Sequence, residues 1–478
     1  MIEIIKAIDF GKARNKSILF GLLLLITCLV RLITWIPPVI DHDESTYLII
    51  ANQILKGDLP YVRLIDIKPV GIYFLFAAFL KLFGHHIFLV RIAATIAVAG
   101  TSYFLFSAKL RQNGDNISAI LIAGLYVAAA SLHKWTWTSN TELFFNLFIA
   151  IGLYYFLGKL RNIEMFLMGL MFGIAFMFKY VVLLDFFCFG LVFVIAFISK
   201  MQFKKFLWKT ILACIGLIIP FCAVALLYYF NGQIEVFRQV TFEIPSRYSS
   251  SFSFGKSLKF ALEFYASYFW LVPFYAISLH HIYKKGSKSN LQIKLLSVIW
   301  PLFAWVAILS TGKMFFHYSF QALIPFLFFI PDGISQIKVK QKGLNIVAAC
   351  TIAMMVACPF LQYFTLFKKP DSINSAAEYL NNHMDPSDQI FVESQIILYF
   401  LTDKTPITQY VHPTLMIKPE HIIAYGIDPQ GEMNKIYESA PKYWIADLNK
   451  PPLAPAFLSA NYRQEIVIGN LLVYRRND

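Results

Sequence analysis

The chain has 478 residues, of which 58% are hydrophobic and 15% charged, with a formal net charge of +14 and a mean hydropathy of +0.60. Soluble domains carry about 25% charged residues, so a wholly soluble chain is excluded. The basic balance fits Lys- and Arg-rich cytoplasmic loops, and no nucleic-acid partner is expected.

In chain order, Lys12, Arg14 and Lys16 lead into an apolar run over 17–36 that ends at Pro37 and Pro38. A cleaved signal has an apolar region of about 7–15 residues. This run is longer and is expected to stay as a first membrane helix. Further spans are expected at 88–108, 116–132, 142–158, 163–179, 181–198, 209–229, 259–281, 294–310, 314–330 and 343–365, each near the length needed to cross about 30 Å of hydrocarbon. The apolar stretch 69–83 is short for a span. If it crossed, the clusters Lys109/Arg111, Lys159/Arg161, Lys200/Lys204/Lys205/Lys209, Lys284/Lys285/Lys288 and Lys338/Lys340/Lys342 would all face outward, against the positive-inside rule. Residues 37–87 are therefore read as one external loop, which puts the N-terminus in the cytoplasm and the C-terminus outside. Within that loop, Tyr47, Leu48, Ile50, Ala51, Ile54 and Leu55 recur at helical spacing. Asp43 is expected to cap this helix and Gly57 to end it.

Residues 1–368 thus read as a mainly α, polytopic transmembrane helical bundle and 369–478 as a small extracytoplasmic α/β domain. In the latter a helix near Ser375–Asn382, strands at Gln389–Val392 and Tyr443–Ala446, and a hairpin over Gln464–Tyr474 turning at Gly469-Asn470 are expected. The six cysteines all lie in apolar runs, read as small hydrophobes. No residue of the C-terminal segment stands out chemically.

The most informative string is Asp41-His42-Asp43-Glu44, followed by Ser45, Thr46 and Tyr47, just outside the first span. Ionisable clusters at a membrane are expensive unless functional. Capping and the helix dipole account for Asp43 and Glu44 but leave Asp41 and His42 unexplained. Lys68-Pro69 opens the 69–83 stretch, where a Lys can meet a lipid phosphate as a point charge or merely snorkel. Further polar groups on the external side are Glu142, Lys179, Arg247, Lys313, His317 and Tyr318. Lys179 and Asp185 are a possible pair, while Trp135 and Trp137 fit an interfacial aromatic belt. Asp41 and Asp43 are also the candidate ligands if a divalent Mg or Mn ion is used; no cofactor is required by the residues present.

Together these strings resemble the GT-C superfamily of polyprenyl-phosphate-sugar glycosyltransferases, and within it glycosyltransferase family 39, the protein O-mannosyltransferases and lipid A aminoarabinose transferases. The resemblance covers about residues 17–330. Asp43-Glu44 matches the acidic pair of the first external loop, and Lys68-Pro69 a Lys-Pro-Pro motif whose second proline is Val70 here. Arg91, Glu142, the Gly169-to-Lys179 segment and the Lys313-to-Pro325 segment match in order. The resemblance implies transfer of a hexose or pentose, with inversion, from a polyprenyl-phosphate-sugar donor to a hydroxyl on a protein, a lipid A-like lipid or a glycan, at the outer face of the cytoplasmic membrane. On this reading Asp43, with Glu44 second, is the general base. Lys68, Arg247 and Lys313 are the phosphate-binding candidates, and Asp41, His42, Tyr47, Arg91, Glu142, Lys179 and Tyr318 the substrate-binding ones. A transporter or flippase of lipid-linked sugars places its ionisable groups near the midplane on broken, repeated helices. That alternative, and a non-catalytic envelope assembly protein, fit the externally clustered acids less well.

Overall fold

The apolar runs fold as helices because a helix satisfies its own backbone hydrogen bonds where no water can. The protein is described here by a computed structural model covering residues 8–247, 253–284, 290–334, 340–368, 371–412 and 415–477. The expected loop lysines Lys285, Lys288 and Lys338 lie outside the described residues. Two compact units emerge, one of 1–33, 91–226 and 250–362, the other of 34–90, 227–249 and 363–478.

The first unit is helical. Among the described residues of the whole chain, six helices have at least 18 residues and enough apolar character to cross a membrane: Ala13–Trp35, Phe88–Asn113, Tyr180–Phe197, Phe203–Phe230, Leu291–Ser310 and Gly343–Leu366. Asn116–Leu132, Thr141–Phe156 and Asn162–Phe176 are apolar but shorter. The protein is a multi-pass membrane protein. Helix Asn162–Phe176 lies so close to Phe203–Phe230 that Gly169 and Gly173 leave no room for a Cβ beside the Ala213 and Leu217 backbones, the small-residue packing that membrane helices use. Arg31, fully buried at the end of the first helix, donates to the carbonyls of Ala130 at 2.8 Å and Thr136 at 2.9 Å.

Two expected spans are broken. Residues 259–281 form Phe254–Ser267 and Phe269–Tyr283, bent by 77°. Pro273 sits in the first turn of the Val272–Tyr283 helix, where it is tolerated, but it cannot continue a helix entering from before it. Residues 314–330 form a 3-10 turn, Phe316–Ala322, and the short helices Leu323–Leu327 and Ile330–Ile334, which contain Pro325 and Pro331. Trp137 is no belt residue: it is 3% exposed and its indole N–H donates to the Ser131 carbonyl at 2.8 Å.

The second unit joins residues 34–90 and 227–249 to the C-terminal segment. Four strands, β1 (Ile390–Val392), β2 (Tyr443–Asp447), β3 (Tyr462–Ile468) and β4 (Leu471–Arg476), form one sheet in the order β1-β2-β4-β3. The β1–β2 pair is parallel and the other two pairs are antiparallel. The β3–β4 turn uses Gly469 at φ +60°, as the sequence implied. Helices His42–Leu55 and Gly71–Phe83 pack together beside this segment. Asn52 donates to Asp403 at 2.8 Å, Lys56 pairs with Asp403 at 2.8 Å, and Ile65 N–H donates to the Gln409 carbonyl at 2.9 Å.

Candidate functional site

Asp41 is extended, and its side chain accepts from the Asp43 N–H at 3.4 Å, so Asp41 rather than Asp43 caps helix His42–Leu55. This corrects the expected cap and leaves the Asp43 side chain to other partners. Successive helical positions point about 100° apart. Glu44 accordingly turns inward and is 1% exposed, whereas the Asp43 side chain keeps 22% of its surface. Of the two expected carboxylates, Asp43 is the one a water-borne group can reach.

Around Asp43 the structure gathers a cationic and aromatic set. Lys68 Nζ lies 3.4 Å from Asp43 Oδ2, and the Tyr47 hydroxyl donates to the same oxygen at 3.4 Å. His412 Nε2 lies 3.5 Å from Asp43 Oδ1. The Lys68 backbone is held by the Tyr61 hydroxyl, which donates to its carbonyl at 2.5 Å. Tyr61 in turn stacks on Tyr228, whose hydroxyl donates to the Pro60 carbonyl at 2.7 Å. Tyr73 packs edge-on against Tyr47 and Tyr61, and its hydroxyl donates to Asp66 at 2.8 Å. These contacts tie the backbone around Lys68 to the buried tyrosines.

His42 faces His412 with ring centroids 6.4 Å apart. Burial, and then the neighbouring His412, lower the His42 pKa from its ordinary value, against the opposing pull of Asp41 and Asp43. Behind His412 lies a cavity of about 30 Å³ lined by Glu393, Tyr399, Thr408 and Tyr410 among others. A water needs about 10–15 Å³ on this measure, so the cavity admits water but not a sugar.

His412 was not singled out in the sequence, where it is a lone loop histidine in a segment with no evident chemistry. Only its placement beside Asp43 marks it. The other expected residues have these surroundings within their own units. Arg247 pairs with Glu243 at 3.5 Å on the short helix Ile244–Arg247, at 53% exposure. In the first unit, Lys179 pairs with Glu142, not with Asp185, and both partners are buried. The Lys179 ammonium also stands 3.3 Å above the Tyr318 ring. Asp185 instead accepts from Trp300 at 2.8 Å and Gln321 at 2.5 Å. Arg91 is fully buried. Lys313 is partly buried, and its N–H donates to the Thr311 hydroxyl at 3.2 Å.

A divalent ion fits these donors poorly. Asp41 serves the helix cap, the two Asp43 oxygens already meet Lys68 and His412, and among the described residues no group of three His, Cys, Asp or Glu side chains could hold a metal.

Residues 67–228 match the family model described as dolichyl-phosphate-mannose-protein mannosyltransferase. The whole fold matches ArnT from Cupriavidus metallidurans. Its apo state is 12% identical with a TM-score of 0.71, and its state bound to undecaprenyl phosphate is 13% identical with a TM-score of 0.64; each match covers 97% of this chain and 98% of that one. The fold of this chain is that of the GT-C glycosyltransferases. A third match at this level is the oligosaccharyltransferase AglB from Archaeoglobus fulgidus in complex with an inhibitory peptide and a dolichol-phosphate, at 10% identity and a TM-score of 0.56, covering 98% of this chain and 75% of that one. No curated protein matches by sequence. Family model and fold agree with the glycosyltransferase expected from the sequence, and neither favours a transporter or an assembly protein.

Proposed function

We propose that this chain transfers a sugar from a polyprenyl-phosphate-linked donor to a hydroxyl acceptor at the outer face of the cytoplasmic membrane. The observation that carries this reading is the partly exposed Asp43 carboxylate with Lys68 beside it at 3.4 Å and Tyr47 on the same oxygen. Asp43 takes the proton of the acceptor hydroxyl as that oxygen attacks the anomeric carbon. The bond from that carbon to the phosphate oxygen breaks, and its electron pair leaves with the lipid phosphate. The leaving group needs charge stabilisation rather than a proton, and Lys68 supplies it electrostatically. Attack from the face opposite the phosphate inverts the anomeric centre. No step requires a metal ion.

The acceptor class of this reading is a hydroxyl on a protein, a lipid or a glycan. The Lys- and Arg-rich helix ends face the cytoplasm in this arrangement, with the N-terminus inside and the C-terminal segment outside. The test is direct: detergent-purified protein is given a radiolabelled polyprenyl-phosphate sugar and a mixture of hydroxyl acceptors. Release of the free lipid phosphate together with labelled acceptor is expected. A donor that stays intact, or that only changes leaflet in a reconstituted vesicle, would overturn the reading in favour of transport.

A further inference from the structure

At the end of the first unit where helix Phe88–Asn113 finishes and the turn between Thr141–Phe156 and Asn162–Phe176 lies, the fold builds a charged recess of about 460 Å³. Pockets that take small ligands span about 300–1,000 Å³. The recess is lined by Arg111, Leu157, Gly158, Lys159, Arg161 and Glu164. Glu164 is 3% exposed and accepts from Arg111 at 3.4 Å and Arg161 at 3.2 Å. A single carboxylate therefore stands against three lining cations. Lys159 is exposed and makes no ion pair among the described residues. A fourth cation, Lys209 on helix Phe203–Phe230, donates to the Leu160 carbonyl of the same turn.

Several features show that this recess is shaped rather than a chance gathering of surface charge. The Arg111 guanidinium is clamped on Tyr154: it donates to the Tyr154 hydroxyl at 2.7 Å and carbonyl at 3.0 Å, and lies 3.6 Å over the ring. Glycine at residue 158 lets these side-chain ends close over the turn, since a Cβ there would sit 2.5 Å from Arg111 Nη1 and 2.8 Å from Glu164 Oε1. Leu160 holds φ +53°, a left-handed conformation that costs a branched residue energy and persists where surrounding contacts enforce it. Apolar side chains beside the charges stay exposed, with Ile163 at 53%, Leu207 at 45% and Trp208 at 51%. Exposed apolar residues with a Trp next to cations mark a helix end at the lipid headgroup level.

We propose that this recess binds the phosphate of an anionic membrane phospholipid, with Lys159 and Arg161 reaching the phosphate oxygens from the rim and Arg111 held behind them. A phosphate oxyanion meets the excess positive charge, and the acyl chains continue along the exposed apolar surface. A free phosphate ion would use the charge but leave that surface without a partner. The site lies on the helix ends whose basic residues are placed on the cytoplasmic side, where anionic lipids attract such clusters.

Native mass spectrometry of the full chain in a neutral detergent tests this with phosphatidylglycerol and phosphatidylcholine of matched acyl chains. Wild type is expected to retain phosphatidylglycerol about tenfold more strongly than phosphatidylcholine, and K159Q/R161Q to reduce that preference to near parity. Equal retention of the two lipids by wild type, or a full preference in the double variant, overturns the proposal. Inorganic phosphate forms the second arm: if it binds alone as tightly as phosphatidylglycerol, the ligand is a free anion and the lipid assignment fails. Should K159Q/R161Q fold poorly, K159Q alone is read in the same way, with a partial loss of preference expected and an unchanged preference overturning the proposal. The readout is binding, so it stands whether or not sugar transfer is observed.

Discussion

Two ion pairs in this molecule look alike in sequence and differ in structure. Glu142 and Lys179 are buried, with side chains 2% and 9% exposed, and a Tyr318 ring lies over the ammonium. Asp43 and Lys68 keep 22% and 15% of their side-chain surface and stand 3.4 Å apart, with His412 and Tyr47 on the same carboxylate. A closed pair of this kind holds helices in register, because removing either partner strands a charge out of water. An open pair with a looser contact can exchange its partner for a substrate group. The contrast teaches that accessibility, rather than the presence of opposite charges, separates a carboxylate that a substrate can reach, the role proposed for Asp43, from one enclosed in a pair.

The strongest way to break this comparison is D43N. Loss of the base is expected to lower transfer about 10²–10⁴-fold while lipid-donor binding and expression stay near wild type. Turnover of a radiolabelled donor measures this, and wild-type turnover would remove Asp43 from the base role. Next comes E142Q, which leaves the Lys179 charge buried and should cost about 3–5 kcal/mol of stability. The double variant E142L/K179M should recover most of it in a detergent melting experiment. A double variant as unstable as the single one would show that the pair is not what holds that region.

K68A sharpens the other half of the comparison. Donor affinity should weaken about tenfold or more with the fold intact, and titration of the lipid-linked sugar reports it; unchanged affinity places Lys68 outside the donor site. H412A is expected to have a smaller effect, about fivefold or less in turnover, because its contact with Asp43 is long and partly exposed. The smallest effect concerns pH. In the unfolded chain His42 titrates near its ordinary value of 6.5, and the fold lowers it by burial and by the facing His412. Between those two values the unfolded chain binds more protons, so the His42 contribution is fully present above about pH 6.5 and is lost as pH falls toward the lowered native value. Melting temperatures measured from pH 7 to 5 should fall more steeply for wild type than for H42Q.

Much of the second unit was legible residue by residue. The apolar spacing from Tyr47 to Leu55 predicts the helix that forms over His42–Leu55, and Gly469-Asn470 predicts the turn between β3 and β4. Asp41 was misread because Asp is a good cap at either position and only the backbone angles at 41 reveal which residue starts the helix. The breaks at Tyr268–Leu271 and across 316–334 were hidden by hydropathy. An apolar run scores the same whether it is straight or bent, although Pro273, Pro325 and Pro331 carried the local signal. His412 carried none, since 369 residues separate it from Asp43.

The membrane class, the basic helix ends, the acidic loop and the lysine that follows it come from the sequence alone, because hydropathy and charge are sums over neighbours along the chain. Which carboxylate remains open to water, and which distant histidine meets it, was decided only by tertiary structure. Burial and contact are properties of residues brought together in space, and a helix turning by about 100° per residue can hide Glu44 while leaving Asp43, its immediate neighbour, exposed.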